Sequence, residues 1–182
     1  MRGETALLAF GANVPGRFGM PTAAIGGALR RLVRRGFTVE AVSKTYTTAP
    51  LGPGPQPAYV NAAAVGHWPG GTLALLLAAK RIEREAGRRR GRVWGPRPLD
   101  IDIIMHGRRS VGWPVRARHE GRLTVPHPHA SERSFVITPL LEIAASWRHP
   151  ISGLRPAELA KRLKPIKGRR NRPRTRPHRA QS

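Results

Sequence analysis

Leu99-Asp100-Ile101-Asp102-Ile103-Ile104-Met105, preceded by Trp94-Gly95-Pro96-Arg97-Pro98, is the stretch on which the fold turns. Leu99, Ile101 and Ile103 alternate with Asp100 and Asp102, and a period of two marks a β-strand with one apolar face. Side chains at i and i+2 leave a strand on the same side. Asp100 and Asp102, the only aspartates in the chain, therefore share a face. An isolated Asp-x-Asp is most simply the solvated side of an edge strand. The flanking tryptophan, glycine, prolines and arginine favour a site instead.

Working back from this strand, Arg88-Arg89-Arg90-Gly91-Arg92 has no apolar periodicity and reads as a loop. Before it, Thr72 to Glu85 reads as a helix with Leu75, Ala79, Ile82 and Ala86 on one stripe, ended by Gly87. Glu83 lies at the edge of that stripe, where an ordinary surface pair with Lys80 or Arg84 is the plain expectation. Tyr59 to Gly66 reads as a strand with Tyr59 and Asn61 on one face. Ala49 to Ala58 holds Pro50, Pro53, Pro55 and Pro57, a density that stiffens the backbone. It is either an inert linker or a rigid wall presenting backbone groups to a flat heterocycle.

Phe37 to Tyr46 alternates as one strand. Pro21 opens a helix with Ile25, Leu29, Leu32 and Val33 on one face, stopped by Gly36. Gly26 and Gly27 inside it cost about 1 kcal/mol each relative to alanine, so either another segment packs closely there or the helix starts later. Thr5 to Phe10 is an apolar strand ending in a Gly11-Ala12-Asn13 turn. The order β-α-β-β-α-β predicts an α+β fold with a ferredoxin-like core, an antiparallel sheet carrying helices on one face.

The opposite face needs cover from later elements. Gly107 to Gly121 is a polar insertion, and Arg122 to His127 is extended. Ser131 is placed to cap a helix from Glu132 to about Ala145, with Phe135, Val136, Leu140 and Ile143 apolar and Pro139 kinking or interrupting it. Pro156 to Leu163 forms a last C-terminal helix. Residues 1–163 thus make one domain, and 164–182 a basic, proline-rich tail expected to be disordered.

There is no cysteine, which removes disulfide, zinc-thiolate and thiol chemistry. No apolar run approaches the ~18 residues of a membrane span, and Met1 to Phe10 makes a poor signal peptide, so a cytoplasmic protein is expected. The charge is the anomaly, 33 Lys+Arg against 10 Asp+Glu. The tail carries eight of those bases and no acid, so the rest is basic as well. Such a field attracts nucleic acid, anionic lipid or a polyphosphate substrate.

Two carboxylates at i and i+2 are too close to flank a glycosidic bond together with a water. They suit magnesium, which takes one or two carboxylates and completes its shell with phosphates and waters. Arginines at 88, 90, 92 and 97 add the charge that phosphoryl-type transfer requires. No Walker A loop, kinase glycine loop or dinucleotide fingerprint is present. Phe135 is equally a core residue on its helix, and His127 between Pro126 and Pro128 is most simply a turn histidine.

Five blocks in order resemble the 6-hydroxymethyl-7,8-dihydropterin pyrophosphokinase family. They are Gly11-Ala12-Asn13, Tyr46 to Gly52, Gln56 to Ala62, Arg92 to Asp102, and Arg122 to His127 followed by Arg133 and Phe135. The resemblance spans Leu7 to about Trp147. Thr47, Val93 and Pro128 depart from the family's usual residues. The resemblance implies pyrophosphate transfer from ATP to the pterin hydroxymethyl group, releasing AMP, in folate biosynthesis. It implies two magnesium ions on Asp100 and Asp102, with Arg88 and Arg97 as catalytic arginines. It places Thr48, Ala49, Pro50, Leu51, Tyr59, Asn61, Trp94 and Phe135 around the pterin. Glu83, Arg90, Trp94, Arg97, Arg122, Leu123, Thr124, His127 and Arg133 match nucleotide contacts. The partners it implies are these small molecules, acting on a monomer, with no membrane involved. A paralogue acting on a related pterin alcohol stays open. So does a basic RNA- or ribosome-associated protein on the same fold, although the strands lack the aromatic stripe that RNA-reading versions use.

Overall fold

A computed structural model describes residues 3–50, 54–89, 95–108, 110–112 and 124–164. Leu51, Arg90, Trp94, Arg122, Leu123 and the tail from residue 165 lie outside the described residues. Five strands form one antiparallel sheet: β1 (Glu4–Ala12), β2 (Thr38–Val42), β3 (Tyr46–Thr48), β4 (Tyr59–Trp68) and β5 (Asp100–His106). The order is β2-β4-β1-β5, with β3 also paired to β4. Among the described residues four α-helices accompany it: α1 (Pro21–Arg34), α2 (Thr72–Glu85), α3 (Ser134–Ile143) and α4 (Pro156–Lys161). The protein is α+β.

The central strands are buried on both faces, and their residues are small for that reason. Ala62 and Ala64 of β4 join Leu8, Phe10, Ile101 and Ile103 under Ile25, Leu32, Leu75, Ala79 and Ile82 of α1 and α2. Ala63 and Val65 point the other way, joining Leu7, Ala9 and Ile104 under Val136, Ile137 and Leu140 of α3 and Leu159 of α4. The stripe of α2 is as the spacing predicts. In α1, Val33 is half exposed, and Ala24, Ala28 and Gly27 take the inward positions. A Cβ on Gly27 would meet the Phe18 ring at 3.3 Å, so close packing explains that glycine and the helix begins at Pro21.

Three expectations need correction. The strand over Phe37 to Tyr46 is two strands: at Ser43 the hydroxyl accepts Ala63 N–H at 2.9 Å where a ladder would use a backbone carbonyl, while the Ser43 N–H still donates to Ala63 O at 2.9 Å. Glu142 of α3 accepts Lys44 N–H at 2.9 Å and the Tyr46 hydroxyl, fixing the break from outside. β1 runs on through Gly11 and Ala12, since Gly11 is paired on both sides, with Asn61 and with Asp100. The helix placed at Glu132 begins at Ser134, after a 3-10 turn (Ala130–Glu132) and an extended Arg133, without a Ser131 cap.

A register shift between Leu7 and Leu8 leaves Ile104 as the extra residue of β5. It reverses the phase of the strand, so Ile104 and Met105 both serve the α3 side. His106 returns to the α2 side, where Nδ1 lies 2.9 Å from Thr72 Oγ1. Among the described residues no helix is long and apolar enough to cross a membrane.

Beyond α3, His149 is 3% exposed and packs edge-on against Trp147. Its Nδ1 accepts the Ile151 and Ser152 N–H groups at 3.3 Å each, while Nε2 is buried with no protein partner. Burial holds its pKa below the ordinary histidine value. The folded state therefore keeps His149 neutral, while the unfolded chain protonates it near pH ~6.5. Its stabilising contribution is complete above that pH and is lost as pH falls from there through the lower folded value. We expect His149→Gln to melt with a shallower loss between pH ~7.5 and ~5.5 than the parent protein. Equal slopes in thermal melts would contradict this account.

Candidate active site

The site lies where β1 ends and β4 and β5 begin, beside the first turn of α3. Gly11 is flanked across the sheet by Asn61 on one side and Asp100 on the other, and Ala9 by Ala63 and Asp102. Small residues on β1 keep the floor low between an amide on β4 and two carboxylates on β5. The space above is a cavity of about 250 Å³.

Its polar wall is β5. Asp100 and Asp102 both face the cavity, as their spacing predicts. Asp100 accepts from Arg88 through one oxygen and from Arg97 through the other. Burial pushes its carboxyl up, but the two arginines outweigh burial and hold it down to about 2. Asp102 has no such clamp; Arg133 Nη1 stands 3.9 Å from it. Burial, and then the neighbouring Asp100 charge, raise the Asp102 pKa above the ordinary aspartate value. His127 also lines the cavity, and burial lowers its pKa despite the Asp102 charge. It closes a turn through its carbonyl, which accepts Ala130 N–H at 2.9 Å, and its ring lines the cavity.

The opposite wall is apolar and amide-like. Asn61 is 3% exposed and donates Nδ2–H to Thr48 Oγ1 at 2.9 Å. Tyr59, Ala49 and Phe135 complete this wall. Burial raises the Tyr59 pKa, and its hydroxyl reaches Gly95 O at 3.4 Å. The Arg133 guanidinium lies 5.7 Å from the Phe135 ring centre, so Phe135 belongs to the cavity as well as to the packing of α3.

Of the residues singled out above, Thr48, Ala49, Tyr59, Asn61, Arg97, Asp100, Asp102, His127, Arg133 and Phe135 therefore meet in one cavity. Pro50 and Thr124 are outside its lining, and Arg88 touches it through Asp100. Glu83 is also outside, and it is not the surface residue that helical spacing suggests. Its side chain is 2% exposed, and it accepts Ile101 N–H at 2.8 Å, a backbone donor on the outer edge of β5. Lys80 and Arg88 each lie 2.9 Å from it. Burial, opposed by Lys80, pushes its carboxyl up to about 7. Ala9, Phe10, Gly11 and Val136 also line the cavity, and of these Gly11 alone belongs to a block that the sequence marks.

The donor set fits magnesium. The cavity's carboxylates are Asp100 and Asp102, and among the described residues no group of three His, Cys, Asp or Glu gathers as a metal cage. A cation there has to draw its remaining ligands from phosphate and water, which is magnesium's habit.

Fold and cavity together define an α+β protein that sets an acidic, arginine-bearing edge against an aromatic and amide-lined wall. The chain belongs to the 7,8-dihydro-6-hydroxymethylpterin-pyrophosphokinase (HPPK) family, which it matches over residues 7–145. A 2-amino-4-hydroxy-6-hydroxymethyldihydropteridine pyrophosphokinase of Haemophilus influenzae is 39% identical over 149 residues, 81% of this chain and 86% of the relative. The Synechocystis enzyme of the same name is 42% identical over 121 residues, 65% of this chain and 56% of the relative. In fold, a triple mutant of Plasmodium falciparum HPPK-DHPS superposes with a TM-score of 0.65 at 12% identity. That match takes in 89% of this chain and 44% of the Plasmodium chain. The chain thus spans about half the length of some proteins it matches.

Proposed function

We propose that the protein transfers pyrophosphate from ATP to the hydroxymethyl group of 6-hydroxymethyl-7,8-dihydropterin, releasing AMP, as a step of folate biosynthesis. The observation that carries this reading is the single cavity joining Asp100, Asp102 and Arg97 to Asn61, Tyr59 and Phe135. The acceptor hydroxyl oxygen attacks the β-phosphorus of ATP, and a new O–P bond forms. The bond from that phosphorus to the oxygen bridging to the α-phosphate breaks. AMP leaves with that oxygen, and the hydroxyl proton is released.

A pterin is planar with an amide-like edge. Phe135 and Tyr59 offer ring faces, and the Asn61 amide both donates and accepts. Asn61 spends one donor on Thr48, which fixes the orientation of the rest of the amide. Arg88 and Arg97 suit phosphate oxygens, to which a guanidinium bonds in bidentate fashion. Asp100 and Asp102 would hold two magnesium ions, which supply charge neutralisation along the triphosphate and at the attacking hydroxyl. Thr124, His127, Arg133 and Glu83 are assigned to the nucleotide side, with Arg90, Trp94, Arg122 and Leu123. Pro50 and Leu51 are assigned to the pterin side. We further read the sheet order as the ferredoxin-like arrangement, residues 1–163 as the catalytic domain, and the protein as a cytoplasmic monomer.

The RNA-binding alternative rests on the net charge of +23. An RNA-reading sheet offers an open face, whereas here α1 and α2 cover one face of β1, β4 and β5, and α3 and α4 pack on the other. The deciding experiment combines ATP, 6-hydroxymethyl-7,8-dihydropterin and magnesium and follows the nucleotide product. AMP is expected, and ADP or no turnover would overturn the proposal. Removal of residues 164–182 should leave the rate within about twofold of the full chain. A collapse of the rate would place the tail in the catalytic unit.

A further inference from the structure

The apolar wall of the cavity draws on two layers of the fold. Thr48 and Ala49 stand at the end of β3 and Phe135 in the first turn of α3, and all three line the cavity. The opening between them is the width left for a flat ring. Further along α3, Glu142 ties the helix to β3: one carboxylate oxygen accepts the Lys44 N–H at 2.9 Å and the other accepts the Tyr46 hydroxyl. Glu142 lies seven residues after Phe135. That is close to two helical turns, so both project from one side of α3, about 10 Å apart along its axis. Tyr46 to Ala49 is three steps of extended chain, also about 10 Å. The spans match, which sets α3 alongside β3 with the Glu142 clamp at one end and the Phe135–Ala49 opening at the other. Tyr46 and Thr48 leave β3 on the same side, and Thr48 Oγ1 accepts from Asn61 at 2.9 Å. What holds Tyr46 therefore also steadies the hydroxyl that orients the Asn61 amide.

We infer that Glu142 is a positioning residue that sets the width of the slot between α3 and the end of β3, and through it the preference of the site for a flat acceptor ring. This rests on the function proposed above. β3 is three residues long and pairs with β4, and the clamp on Lys44 and Tyr46 sets where it lies against α3. A carboxylate accepts at both oxygens, so one side chain takes a backbone donor and a hydroxyl donor together. Glu142 is outside the cavity lining. It acts on the acceptor through the placement of Phe135, Thr48 and Ala49. A slot held at fixed width grips a planar ring on its faces and rejects a puckered one.

Three variants grade the clamp. Glu142→Ala releases both donors, and because Glu142 is exposed it opens no gap in the core. Tyr46→Phe releases one donor. Glu142→Gln keeps both contacts, since the amide oxygen takes the Lys44 N–H and the amide nitrogen donates to the Tyr46 hydroxyl oxygen. Steady-state rates with ATP, magnesium and 6-hydroxymethyl-7,8-dihydropterin give kcat and a KM for each substrate. Glu142→Ala should raise the acceptor KM about tenfold and leave kcat and the ATP KM within about twofold, the split that marks binding lost at one substrate. Tyr46→Phe should fall between, and Glu142→Gln should stay within about twofold of the parent. Titration calorimetry, with magnesium and an ATP analogue carrying a methylene between its α and β phosphorus atoms, compares the dihydropterin with its puckered tetrahydro form. The preference for the dihydropterin should shrink at least about threefold in Glu142→Ala. A merely structural Glu142 would lower Tm and scale down kcat with both KM values and the ring preference unmoved. That result, or a Glu142→Gln variant no better than Glu142→Ala, overturns the positioning role and leaves the proposed function standing. A parent that binds the pterin without producing AMP overturns the proposed reaction, and the calorimetry still decides the slot. A parent that binds no pterin overturns both.

Discussion

Asp102→Ala turns over ATP and pterin at least about a thousandfold more slowly than the parent protein, and it melts no lower. The two parts of this expectation have separate causes. The Asp102 side chain is 23% exposed, sits beside another carboxylate, and has Arg133 at 3.9 Å with no arginine bonded to it among the described residues. Burial and the Asp100 charge raise its pKa, which means the folded protein bears a cost for keeping it ionised. Removing the carboxyl removes that cost. The activity goes because half of the proposed metal-binding pair goes with it.

Asp100→Ala should lose turnover to a similar degree yet behave differently in a melt. Asp100 accepts from both Arg88 and Arg97, whose side chains are 24% and 29% exposed. Without it two partly buried guanidiniums lose their partner, although Arg88 keeps Glu83 at 2.9 Å. After allowing for solvent screening this costs about 1–2 kcal/mol, or roughly 3–8 °C in Tm. Steady-state rates and thermal melts on the two variants check both halves. Turnover within about tenfold of the parent in either variant would remove the metal role. A lower melting temperature for Asp102→Ala than for Asp100→Ala would refute the electrostatic account.

The two aspartates were legible because a period of two is a local property and nothing else in the chain competes for that reading. The α2 stripe was legible for the same reason: Leu75, Ala79, Ile82 and Ala86 repeat at helical spacing, and all are fully buried. What escaped depends on partners far along the chain. Helical spacing cannot show that Glu83 is buried, because its bonding partner is an N–H on the outer edge of β5. The break between β2 and β3 depends on Ser43 meeting Ala63 and on Glu142 arriving from α3. Asn13 reads as a turn residue until Pro57 and Arg97 are brought to it, 44 and 84 residues away in sequence. The bulge at Ile104 hides in a run of apolar residues, any of which suits either face. The two aspartates look equivalent in sequence, and only the arginines around them make one clamped and the other free.

The second large effect is expected at Arg97. Its backbone is held through both its N–H and its carbonyl by Asn13, whatever side chain it carries. Arg97→Ala therefore deletes a guanidinium without releasing the segment that leads into Asp100. Turnover should fall by roughly a hundredfold to a thousandfold, or about 3–4 kcal/mol of barrier. Arg97→Lys should recover only a small part of this, since a lysine gives a point charge where two parallel N–H bonds to phosphate are needed. Arg88 offers the instructive contrast. It also bonds Asp100, but it lies 2.9 Å from the buried Glu83 as well. Arg88→Ala therefore combines a loss of rate with the larger loss of stability, whereas Arg97→Ala, which takes a partner from Asp100 alone, should lower the melting temperature by less than Arg88→Ala does. Measuring kcat, KM for ATP and Tm on all three variants separates these roles. If Arg97→Lys restores the full rate, charge alone suffices at position 97 and the bidentate phosphate contact is wrong. If Arg97→Ala unfolds, the anchoring by Asn13 is too weak to hold the segment.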